Sequence, residues 1–173
     1  QFITAWKMVE MLSSGKMPAE LITPALYLPV VPGGLVGGMA LNAIGFSGFG
    51  YLLWGMGVGA WALLEMRILS HLFKGPLPEP IRATIGIEMA PAAVSTLTAI
   101  ALWPTIPVDA VLIGLGIASG PILAVLTRWK AWTSIPFSFG FWSFSFPVAA
   151  TASCIIEAVQ DRKSTRLNSS HLV

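Results

Sequence analysis

Glu88 stands about seven residues into an otherwise apolar run, IRATIGIEMAPAAVSTLTAIALW. A charge held at the centre of a bilayer costs about 2.5–3.5 kcal/mol on insertion scales. A carboxyl so placed has two uses. It faces a polar cavity, where it binds a proton or orients a neighbour, or it sits nearer the surface, solvated or hydrogen-bonded to the next helix. Both stay open on the residues alone. Glu65 and Arg67 are two apart and do not share a helix face; Arg67 can snorkel to the membrane surface. Arg82 suits a surface anchor or a lure for anions at a mouth. His71 has no partner at metal spacing. The lone Cys154 and the serines have no base beside them, and no Walker loop or GxGxxG is present. These residues predict no enzyme, no metal and no other cofactor, and the basic residues give no nucleic-acid footprint.

A second candidate is FWSFSFP, residues 141–147, with four aromatic rings in seven positions. At 100° per residue Phe144 and Phe146 point to nearly opposite helix faces. Phe146 then shares its face with Ser143, Ala149, Ala150 and Ser153, all small or polar. Phe144 shares its own with Phe137, Phe141, Val148, Thr151 and Ile155, bulkier and suited to packing. A large ring among small residues, next to the kink of Pro147, could narrow a passage. The alternative for the cluster is an interfacial aromatic belt, natural for Trp142 and Phe139.

Membrane helices must position these residues. Hydrophobic residues make up 55% of the 173-residue chain and charged ones 10%, against about 25% charged in soluble domains. Mean hydropathy is +0.76. The expected fold is all-α and polytopic, with spans at about 23–46, 49–73, 81–103, 107–129 and 137–158. Residues 1–22 carry Lys7, Glu10, Lys16 and Glu20 and suit an aqueous connecting segment; 23–160 forms the membrane domain. The polar tail, 161–173, resembles appended sequence and is set aside as non-native. Lys7 and Lys16, then Arg67, Lys74 and Arg82, then Arg128 and Lys130 mark alternate connections, so the first span starts on the cytoplasmic side.

Interior proline marks the odd spans: Pro24, Pro29 and Pro32, then Pro91, then Pro147; the fourth span also carries one, Pro121. A kinked helix frees carbonyls that need partners in protein or a cavity, so the odd spans are expected inside and the even ones outside. Gly37, Gly86 and Pro91 join Ser143, Ala149, Ala150 and Ser153 as candidate pore-lining residues. Glu88 is the candidate proton site.

TPALYLPVV (23–31), LPEPIRATIGIEMAPAAV (77–94) and PFSFGFWSFSFPVAA (136–150) resemble the tellurite-resistance/dicarboxylate transporter family of TehA-type bacterial proteins, related to plant slow anion channels within the voltage-dependent anion channel superfamily. The resemblance covers nearly all of residues 20–158. It implies part of a ten-helix, two-layer bundle, with these segments as helices five to nine and five proline-kinked inner helices around a pore. It matches Phe146 to a phenylalanine that gates the pore. It also implies an apolar path for small anions, a bacterial inner-membrane location and a homotrimer. Half an inner ring leaves the pore wall open, so the segment alone is expected not to conduct. A proton-coupled C4-dicarboxylate or tellurite-related carrier, and a non-conducting partner subunit in the bilayer, are the alternatives.

Overall fold

Prolines mark the apolar runs, and ahead of Pro32, Pro91 and Pro147 the backbone tightens into 3-10 turns. The computed structural model describes residues 2–18 and 21–170, with the side chains of Phe2, Ala5 and 161–170 excepted. Helix α1 (Phe2–Ser13) comes first. A 3-10 turn at Pro24–Tyr27 precedes α2 (Val31–Ala43), and α3 (Ser47–Leu72) follows. A 3-10 run at Glu79–Met89 leads directly into α4 (Ala90–Leu102). After α5 (Val108–Thr127) and the short α6 (Trp129–Thr133), a third 3-10 run at Phe139–Phe144 leads into α7 (Ser145–Ser170). No strand occurs among the described residues.

Among the described residues four helices are long and apolar enough to cross a membrane: Ser47–Leu72, Glu79–Leu102, Val108–Thr127 and Phe139–Gln160. The fifth expected span, 23–46, is split between the turn at Pro24–Tyr27 and α2. Pro29 and Pro32 remove two backbone donors within four residues, and Val30 turns to φ −121°, ψ −54° at the break. The segment expected as an aqueous connection holds α1, which buries Met8 and exposes Ile3, Trp6 and Val9. Of the tail set aside as appended, only the backbone of 161–170 is described, as a continuation of α7; 171–173 lie outside the described residues.

Helix α4 with its leading 3-10 run is the centre. In that span 61% of the most apolar stretch is buried, against 17% in each of the other three. It touches α2, α3, α5 and α7. The last proline-marked span, by contrast, is as exposed in this chain as the even ones. Small residues let the backbones approach. A Cβ placed on Gly34 of α2 would lie 2.5 Å from the Gly57 Cα of α3, and one on Gly38 would lie 2.8 Å from the Gly50 carbonyl oxygen. Only glycine fits at that crossing.

Polar side chains then tie the helices together through backbone carbonyls. Asn42 Nδ2 donates to Ala101 O at 2.7 Å, Tyr51 OH to Leu102 O at 2.9 Å and Trp54 Nε1 to Ser95 O at 3.1 Å. The buried Thr98 hydroxyl lies 3.1 Å from Leu35 O and 2.9 Å from Val94 O. Each bond joins α4 or its end to α2 or α3, except the last, which stays within α4.

Overpacking a tight crossing destabilises by about 1–3 kcal/mol or more. Gly34→Leu is therefore expected to lower the thermal midpoint of the detergent-purified protein by several degrees. Gly55→Ala, where a Cβ meets nothing within 4 Å, should leave the midpoint equal or higher.

Candidate functional site

The three proline-marked spans meet at a cavity of about 260 Å³, several water volumes. Tyr27 and Leu28 contribute from the first break, with Val31, Pro32 and Leu35 from α2. Ile87 comes from the last turn of the second 3-10 run, and Ala90, Pro91 and Val94 from the start of α4. Ser143, Phe146 and Pro147 come from the third junction. No charged side chain lines this wall.

The register has a local cause. Pro32, Pro91 and Pro147 each stand four residues after a wall residue, namely Leu28, Ile87 and Ser143. An α-helix would send an N–H from each proline position back to that carbonyl, and proline has none to send. At the second junction a tighter bond takes over: Ala90 N–H donates to Ile87 O. At the third, Ser145 N–H donates to Trp142 O. At the second junction the 3-10 turn thus gives the deprived Ile87 carbonyl a donor by shortening the reach; at the third the short bond serves Trp142 O, one residue before the carbonyl that Pro147 leaves.

Phe146 sits on the cavity wall with its side chain 51% exposed. Ser143 lies three residues before it, and its hydroxyl donates to Ala83 O at 2.8 Å across to the neighbouring run. Pro91 lies on the same wall. The other candidate lining residues sit elsewhere. Gly86 backs onto Ser143 and Phe144, since a Cβ there would lie 2.5 Å from the Ser143 Oγ. Gly37 faces Leu53 of α3 at 3.2 Å from such a Cβ. Ala150 is packed in the core. Ala149 is exposed, and the partly exposed Ser153 donates to its carbonyl at 3.0 Å. Phe146, Ala149, Ala150 and Ser153 all belong to α7, and the division follows from the extent of the cavity, which reaches only the first turn of that helix, at Phe146 and Pro147.

Phe144 packs away from the cavity, its ring centroid 4.9 Å from that of Trp132 and 6.3 Å from that of Phe141. Trp142 and Phe139 are exposed, as a lipid-facing belt would be.

Behind the wall lies a polar cluster. Glu88 is only 2% exposed. The Tyr27 hydroxyl donates to the Glu65 carboxylate and lies 3.4 Å from Glu88 Oε1. Trp61 Nε1 donates to the same Glu65 oxygen at 2.8 Å. Glu88 Oε2 has no hydrogen-bond partner among the described residues, nor does the buried Nη1 of Arg128, whose Nη2 donates to Leu72 O at 2.9 Å. The residues alone singled out neither Tyr27 nor Trp61, gave Glu65 no site role and used Arg128 only as a marker of a cytoplasmic connection. The Trp61–Glu65 pair was legible as an i, i+4 spacing; the approach of Tyr27 to two distant glutamates was not. Among the described residues no three His, Cys, Asp or Glu side chains gather as a metal site.

Comparison with known proteins agrees with this architecture. Residues 1–170 match the family model described as voltage-dependent anion channel. The chain is 31% identical over 146 residues to the tellurite resistance protein TehA homolog of Haemophilus influenzae, covering 83% of this chain and 44% of that protein. It thus spans less than half the length of that relative. Taken with the four membrane-length helices and the proline-junction cavity, these matches show a multi-pass membrane protein that belongs to the voltage-dependent anion channel family.

Proposed function

We propose that the cavity is part of a path for small anions across the bacterial inner membrane, with Phe146 as its gate. The supporting observation is a wall built jointly by all three proline junctions, with one large half-exposed ring on it. The wall offers an anion no fixed cation to bind. Passage is then limited by dehydration at an apolar constriction, which favours small, weakly hydrated anions and prevents trapping. Phe146 stands in the first turn of α7, beside Pro147, so a change of its rotamer alters the free cross-section without moving a helix. Chloride and nitrate are the expected cargo; malate and tellurite in the same flux assay test the dicarboxylate and tellurium-oxyanion alternatives.

Removing the ring takes away the constriction. In the full-length protein Phe146→Ala should raise anion conductance about tenfold or more, the change given by about 1.4 kcal/mol off a barrier. Conductance no higher than wild type would sink the gate assignment. The wall itself is checked by thiol labelling, because Cys154, the one cysteine of this sequence, is fully buried. Ser143→Cys and Ala90→Cys should react with a charged, water-soluble thiol reagent and lose flux on labelling. Ala150→Cys should stay unlabelled, its side chain being packed in the core.

A further inference from the structure

Two carboxyl groups share one hydroxyl proton behind the cavity wall. Tyr27 belongs to both places: it lines the cavity and contacts Glu65 and Glu88 on its far side. Its single O–H is committed to Glu65, which also receives the Trp61 N–H. Nothing remains to donate to Glu88, which is the more deeply buried of the two and keeps an unpartnered Oε2. An unpaired carboxylate in such a place is heavily penalised. A proton on Glu88 removes the conflict. Its O–H donates to the Tyr27 oxygen, the Tyr27 O–H donates to Glu65, and all donors run in one direction.

On the packed helices α3 and α7, Arg67 and Glu157 are exposed and His71 is half-buried in the last turn of α3. Arg128, at the end of α5, makes no hydrogen bond to Glu88; its Nη2 donates to Leu72 O. Helix α4 has no titratable side chain, nor has the 3-10 run Phe139–Phe144. Lys130 of α6 is exposed, Cys154 of α7 turns its thiol to Ala93 O at 3.5 Å, and Asp109 opens the other end of α5. On the run that carries Glu88, Glu79 and Arg82 stand at its opposite end, where Arg82 Nε donates to Leu77 O.

We infer that Glu65, Tyr27 and Glu88 form one shared proton-binding site behind the wall of the cavity, and that loss of its proton slows anion entry. With one proton across the two carboxyls the site carries a net charge of −1; when that proton leaves to water the charge becomes −2. The added negative charge sits one tyrosine ring away from the path and repels the anion in a medium that screens poorly. The inference rests on the cavity being the anion path.

The test is anion flux through proteoliposomes of the full-length protein, at equal pH on both sides, between about pH 5 and pH 8, around the range where shifted carboxyls titrate. Wild-type flux should fall by about tenfold as pH rises through one step. Glu88→Gln should abolish the step and hold flux near the low-pH wild-type level. Glu65→Gln should keep a step but move its midpoint by about one pH unit or more. Phe146→Ala should raise flux at every pH and leave the midpoint in place. A flat wild-type profile, or a Glu88→Gln profile that keeps the wild-type step, overturns the proton site. A flat Glu88→Gln profile together with an unchanged Phe146→Ala conductance supports the site and removes the gate. Infrared difference spectra of wild type need no substitution: a protonated-carboxyl band lost over the same pH range supports the site, and its absence overturns it.

Discussion

A proline nitrogen carries no proton, and in hydrocarbon a carbonyl deprived of its helical donor finds no water to replace it. That constraint shapes this protein. Ahead of Pro32, Pro91 and Pro147 the chain winds as 3-10 helix before α-helix resumes, whereas Pro121 is carried within α5. Leu28, Ile87 and Ser143, each four residues before a proline, all face the same cavity. The altered backbone is therefore gathered in one place, which is where irregular backbone within a membrane is tolerated.

Holding three such junctions together requires close helix contacts that do not depend on water. Glycine does this between α2 and α3, where Gly34 meets Gly57 and Gly38 meets Gly50 backbone to backbone. The hydrogen bonds of Asn42, Tyr51 and Trp54 fix α4 against the same pair. Each uses a carbonyl whose oxygen has a second lone pair to offer, so helix pairing takes nothing from the helix ladders. The site inherits its rigidity from this scaffold. Tyr27 can stand between a cavity and two glutamates because α2, α3 and the run carrying Glu88 are fixed around it.

Much of this was legible in the residues. Low charge and long apolar runs gave membrane helices, and interior prolines marked the runs that meet at the cavity. The spacing within FWSFSFP separated Phe146 from Phe144, which the structure places on the cavity wall and against Trp132 respectively. Less legible were the lining residues beyond Ser143 and Pro91. The 100° step carried Ala149, Ala150 and Ser153 along with Phe146, but a helix face says nothing of how far a cavity extends along it, and this one reaches only the first turn of α7. The first apolar run had length enough for a span, but Pro29 and Pro32 divide it.

Glu88 shows where sequence reasoning stops. Its position in an apolar run announced an expensive buried charge, because transfer free energy depends on the residue and its depth alone. What that charge could do depended on partners 23 and 61 residues away in the chain, Glu65 and Tyr27, brought beside it only by packing. Sequence by itself determined the class of protein, the breaks and the ring at Phe146, since each follows from local chemistry: hydropathy, a missing N–H, a side-chain volume. Tertiary structure alone decided which carbonyls, carboxyls and hydroxyls meet, because hydrogen bonds act over about 3 Å and no pattern along a chain fixes such distances across helices.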